Sequence, residues 1–98
     1  MQSYHLTTPL QSQILSGLHI SKELLLEEVT LLLLKRQLAE SKMEITYFEK
    51  KYQQDFAAFE REFQSNSASF EIENDWLAWK FAEESWAYWQ NLLQQAHQ

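Results

Sequence analysis

The sequence predicts an all-α fold: a long antiparallel helical hairpin, coiled-coil-like along its seams, with a short connecting helix. Three observations carry that expectation. The 98 residues include one glycine, Gly17, and one proline, Pro9, whereas sheet proteins need turn residues every few positions. Leu, Glu, Gln, Ala and Lys, all good helix formers, dominate the chain. Two stretches place apolar and aromatic residues at alternating spacings of three and four, the signature of one face of a helix.

The elements follow in order, and together they read as a single helical domain over residues 1–98. Residues 1–7 are uncharged apart from a histidine and read as a loose arm. Thr8-Pro9-Leu10-Gln11 reads as a helix start, with Thr8 as N-cap, Pro9 at the first helical position and Gln11 closing a capping box. That helix is expected over 9–16, stopped by Gly17 in a left-handed turn. Ser21 is placed to cap the next helix, with Ile20 and Leu25 as a hydrophobic staple. From 22 to 52 the positions Leu24, Glu27, Leu31, Leu34, Leu38, Ser41, Ile45, Phe48 and Tyr52 alternate threes and fours, and seven of the nine are apolar or aromatic. This predicts one long helix with a seam. Asp55 caps a short helix over 56–64 bearing Phe56, Phe59 and Phe63, and Gln64 to Ser69 reads as a polar loop. Asn74 or Asp75 is expected to cap the last helix, 75–96, whose seam runs through Trp79, Ala82, Trp86, Trp89, Leu93 and Ala96.

Two seams of matching period imply that the long helices pair antiparallel. At 1.5 Å per residue the first would span ~48 Å and the last ~33 Å, so Ser21 to Thr30 is expected to project beyond its partner. That segment holds Leu24, Leu25 and Leu26, followed by Leu31, Leu32, Leu33 and Leu34. Four consecutive leucines point all round a helix, and a helix apolar on several sides needs several neighbours. The first helix accounts for part of this surface; a second chain is expected to complete the bundle, most simply as a homodimer.

The composition narrows the function. Fourteen acidic residues against eight basic give a net charge of −6, and Lys and Arg are not gathered along one face as nucleic-acid binding requires. Direct nucleic-acid binding is not expected, and a basic protein partner is electrostatically favoured. No cysteine is present, which removes a thiolate nucleophile and fits a reducing compartment. The longest apolar stretch falls far short of a membrane span. The first charged residue, Lys22, lies beyond any basic leader region. A cytoplasmic protein without a membrane partner is the expectation.

No enzyme or cofactor is expected either. His5, His19 and His97 are scattered and lack the converging ligands of a metal site. Phosphate loops require glycines that this chain does not have. Neither Arg36 nor Arg61 is followed at four to six residues by the His of an all-helical HEPN-type ribonuclease. Glu27, a carboxylate on the seam, reads either as the seam's wet end or as a charge that pairs with a partner's Arg or Lys. Glu71, Glu73, Asp75, Glu83 and Glu84 give the last helix an acidic surface. Four tryptophans fall between Trp76 and Trp89. Trp79, Trp86 and Trp89 follow the seam and read as core, whereas Trp76, Phe81 and Tyr88 fall off it and read as interface residues.

The stretch Phe48-Glu-Lys-Lys-Tyr52-Gln-Gln-Asp55-Phe-Ala-Ala-Phe59-Glu-Arg-Glu-Phe63, then Asp75-Trp76-Leu-Ala-Trp79-Lys and a final amphipathic helix, resembles a family of small helical TumA-like antitoxins, partners of TumE-type ribonuclease toxins. The resemblance covers about residues 43 to 93; Gln53-Gln54 stands where members of that family usually carry a glycine. It implies an acidic module that binds a toxin and occludes it without chemistry of its own. The surface expected to do so comprises Leu24, Leu25, Glu27, Leu31, Leu32, Leu34, Trp76, Phe81, Glu84 and Tyr88. The alternative is a homo-oligomeric structural or adaptor protein with no toxin partner.

Overall fold

A computed structural model describes residues 3–65 and 69–97. Four helices follow in order: α1 (Thr8–Gly17), α2 (Lys22–Tyr52), α3 (Phe56–Ser65) and α4 (Phe70–Ala96), with no strand among the described residues. Three of the six residues of the expected polar loop, 66–68, lie outside the described residues, as do 1, 2 and 98. The chain's contacts group it into two compact units, Met1–Leu33 and Leu34–Gln98.

In the first unit α1 begins one residue earlier than the sequence reading placed it. Thr7, in extended backbone, is the N-cap: its side chain accepts a hydrogen bond from the Leu10 N–H at 3.3 Å, and Thr8 is already helical. The amide of Gln11 donates instead to the Leu6 carbonyl at 3.5 Å, so no capping box forms. The helix end also differs from the expected glycine stop. His19, not Gly17, takes the left-handed conformation, at φ 58°. The Ile20 N–H reaches the Leu15 carbonyl at 3.0 Å and the His19 N–H reaches Ser16 at 3.1 Å. That pair of bonds is the Schellman arrangement, which satisfies the last carbonyls of a helix. Ser21 then caps α2 as expected, accepting from the Leu24 N–H at 3.1 Å. Within this unit Leu15, Ile20 and Leu25 are half-buried and every other described residue is exposed.

The second unit holds the core. Ile45 and Phe48 of α2, Phe59 of α3, and Trp79 and Ala82 of α4 are buried, ringed by Tyr52, Phe56, Ile72, Trp76 and Trp86. Trp79 is wholly enclosed, at 0% exposure. Its ring lies 5.0 Å from that of Phe59, 5.4 Å from Phe56 and 5.5 Å from Phe48, the last stacked. Its N–H is satisfied four residues on by the Glu83 carboxylate at 3.3 Å, as a buried indole donor needs to be.

The pairing of α2 with α4 is antiparallel, and its register can be read from side-chain contacts. Tyr52 bonds Asp75, Phe48 stacks on Trp79, and the Lys42 ammonium sits over Trp86. Each step back along α2 is matched by a step forward along α4. The same register sets Ile45 level with Ala82 and buried Ser41 level with Trp86, small against large, as interdigitating helices require.

Between α2 and α3, Asp55 caps α3 as expected, its carboxylate accepting from the Ala58 N–H at 2.9 Å. The chain reverses through Gln53, whose φ of 53° is again left-handed; its side-chain amide donates back to the Lys50 carbonyl at 2.8 Å.

The start of α4 corrects the sequence reading. The helix begins at Phe70, capped by Ser69, whose hydroxyl accepts from the Ile72 N–H at 3.2 Å. Glu71 and Glu73 occupy the first turn, where carboxylates favour the positive end of the helix dipole. Asp75 is free of capping duty because it is engaged elsewhere. The 27 residues of α4 give it ~40 Å, against ~46 Å for the 31 of α2, so the expected disparity between the long helices is much reduced.

Candidate partner-binding surfaces

Two surfaces and one electrostatic clamp stand out. The clamp holds the turn end of the second unit. The Lys51 ammonium lies 2.6 Å from the Asp75 carboxylate and 3.1 Å from Glu71, and the Tyr52 hydroxyl donates to the same Asp75 oxygen. Hydrogen bonds to Asp75 and Glu71 hold the Lys51 ammonium above the usual lysine range. Burial, aided by the bond to Asp75, pushes the Tyr52 phenol up to about 12. Burial alone would raise the Asp75 carboxyl, but the hydrogen bonds from Lys51 and Tyr52 outweigh it and leave it lowered. The arrangement fixes α4 to α2 and offers no free nucleophile or base.

The first surface is the outer face of α4. Leu77, Phe81, Glu84 and Tyr88 succeed one another at spacings of four, three and four, and Phe70 and Asn74 continue the row backwards. Two residues along a helix is a rotation of about 200°, so Leu77 and Phe81 lie opposite Trp79. Leu77, Phe81 and Tyr88 are 60–68% exposed and Phe70 is 79% exposed. Glu84 interrupts the row with an exposed carboxylate.

The second surface is the leucine-rich stretch of α2. Leu24, Leu26, Val29, Leu31, Leu32 and Leu33 are between 37% and 69% exposed, while Leu25 and Leu34 are half-buried. Glu27 is exposed, so it is not a buried seam charge in need of an internal countercharge.

Most of the residues expected from sequence therefore sit on these two surfaces: Leu24, Leu31 and Leu32 on α2, and Phe81, Glu84 and Tyr88 on α4. Trp76 is placed differently. Its ring stacks on Phe63 at 4.9 Å, its N–H donates to Glu60 at 3.1 Å, and the Lys80 ammonium lies 5.1 Å from its centroid. It packs against the core as one of its rim residues. The expected acidic face of α4 is also divided: Glu71 and Asp75 serve the clamp and Glu83 holds the Trp79 indole, leaving Glu73 and Glu84 on open surface. Sequence reasoning passed over Phe70 and Leu77, although the 4-3-4-3-4 spacing from Phe70 to Tyr88 was there to be found. It also passed over Met43 and Tyr47, one turn apart on α2 and both exposed.

Among the described residues no three His, Asp or Glu side chains lie close enough to hold a metal ion, and no helix is long and apolar enough to cross a membrane. No family model matches the chain, and neither the curated proteins nor the solved structures contain a match to it.

Proposed function

We propose that this chain works by binding another protein through the outer face of α4. One observation carries the reading: a helix whose inner face already supplies Trp79 and Ala82 to the core presents a second row of large apolar side chains, Leu77, Phe81 and Tyr88, to solvent. Isolated exposed apolar residues are ordinary, but large apolar side chains gathered along one face of a helix are a mark of an interaction surface. Its aromatic members bury large area at little entropic cost. Glu84 within the row and the chain's net charge of −6 favour a basic partner.

The finer form of the proposal is an antitoxin-like role, in which the acidic module occludes a toxin by steric and electrostatic cover. It draws on the resemblance over residues 43–93 and on the small size and acidity of the chain. Co-expression with the product of the adjacent gene is expected to yield a complex that survives gel filtration. Replacing Phe81 and Tyr88 together by Asp should abolish that complex while lowering stability by no more than about 1–2 kcal/mol, the sum of two surface changes, new like-charge spacings to Glu84 and the lost Tyr88–Trp89 contact. Separate elution of the two proteins, with no effect of either on the other's activity, overturns the toxin reading.

A second reading, self-association, is favoured by a separate observation: the exposed leucines of α2 form a surface more apolar than that of α4, without an aromatic residue in it.

A further inference from the structure

We infer that the leucine-rich stretch of α2 pairs with the same stretch of a second copy of this chain, antiparallel, about a two-fold axis between Leu31 and Leu32; the inference rests on the self-association reading and specifies its geometry. Leu24, Glu28, Leu31, Leu32 and Lys35 share one face of α2, since steps of three and four keep residues on one side of a helix. The helix is uninterrupted through them, so their spacing is fixed by the helix itself.

The charges on that face are symmetric about its centre. Glu28 stands three residues before Leu31, and Lys35 stands three after Leu32. Both are exposed, and no ion pair involves either of them among the described residues. Within one helix they lie about 10.5 Å apart along the axis, too far to meet, and each has only Leu or Ala three and four residues away on either side. Neither charge therefore has a neighbour of opposite sign within its own helix.

A second copy laid antiparallel brings Glu28 of each chain level with Lys35 of the other, two identical pairs flanking a centre of four leucines. That is the isologous contact a two-fold dimer requires. The parallel alignment instead sets Glu28 beside Glu28 and Lys35 beside Lys35, which like charges oppose. Charge thus selects the orientation, and the exposed leucines supply the apolar centre.

The test uses the whole chain, the single variants Glu28→Lys and Lys35→Glu, and the double variant carrying both. Sedimentation equilibrium at low ionic strength measures the dimer dissociation constant, and circular dichroism verifies helix content. Each single variant turns two attractive pairs into two repulsive ones and should raise the constant about tenfold. The double variant restores both pairs with their signs exchanged and should return it to within about threefold of the starting value. A dimer whose constant is unmoved by the single variants, or weakened by them and not rescued by the double, overturns the antiparallel register while self-association stands. A wild-type chain that stays monomeric at micromolar concentration overturns both.

Discussion

Helix α2 carries most of its leucines at one end and its buried side chains at the other. Between residues 24 and 34, eight of eleven positions are Leu or Val, yet none of them is buried. Between 41 and 52 charged and polar residues are frequent, and still Ser41, Ile45 and Phe48 are buried there. Apolar content alone does not produce a core; a neighbour of complementary shape and period does. The second half of α2 has that neighbour in α4, with Trp79 and Ala82 stepping in register. The two halves therefore answer different tests, the buried half to folding stability and the leucine half to association.

The sharpest way to break this contrast is to truncate one side chain in each half's surroundings. Trp79→Ala removes the enclosed ring on which Phe48, Phe56 and Phe59 converge. It should cost about 3–5 kcal/mol, as for large aromatic core truncations, a large share of what a domain of this size has. Urea unfolding followed by circular dichroism reads the loss. Leu32→Ala, in the leucine half, should change the stability of the isolated chain by less than about 1 kcal/mol, despite the greater hydropathy of its surroundings. Equal losses at the two sites would mean that the leucines already share the core.

The clamp at Lys51, Tyr52 and Asp75 comes next in size. Asp75→Asn replaces the charged acceptor of the half-buried Tyr52 hydroxyl with a neutral one and should cost about 1 kcal/mol, a charge-assisted hydrogen bond lessened by partial exposure. The same clamp predicts pH dependence on both sides. Asp75 titrates below its ordinary 3.8 in the fold. Its contribution is thus present above that value and is lost as pH falls through the lowered one. Tyr52 titrates above its ordinary 10.0, at about 12, so its contribution is whole below pH 10 and fades as pH rises towards 12. In Asp75→Asn the acid-side loss should shrink; an unchanged acid limb would place it on other carboxylates.

How much of this was legible in the sequence depends on the range of the interaction. Ser21 and Asp55 were readable as caps because each acts on an N–H three residues away. The Trp79 seam was readable because its period matches that of Ile45 and Phe48. The start of α4 was misplaced because Ser69, Asn74 and Asp75 are all plausible caps. The choice turned on Lys51 and Tyr52, more than twenty positions earlier, which engage Asp75. Trp76 was misread for a related reason: its stacking partner, Phe63, belongs to another helix. Both faces of α4 carry aromatics at helical spacing, and the one whose period matches the seam of α2 faces inward, with Trp79 buried and Phe81 and Tyr88 exposed.

The smallest expected effect concerns the backbone at the turn end of the buried half. Gln53 holds a left-handed φ of 53°, a conformation that disfavours a side chain and that glycine adopts freely. Gln53→Gly removes that steric cost but also frees the unfolded chain and deletes the hydrogen bond from the Gln53 amide to the Lys50 carbonyl. The steric term outweighs the other two, because that hydrogen bond lies on exposed surface where water competes for both groups. A net gain of about 0.5 kcal/mol is expected, read as a rise in the urea midpoint with an unchanged slope. His19 is the matching position in the leucine half, left-handed and outside the core. Within the second unit, Gln53→Gly should raise the transition that exposes Trp79, and an unmoved midpoint would show that the left-handed backbone carries no net steric cost.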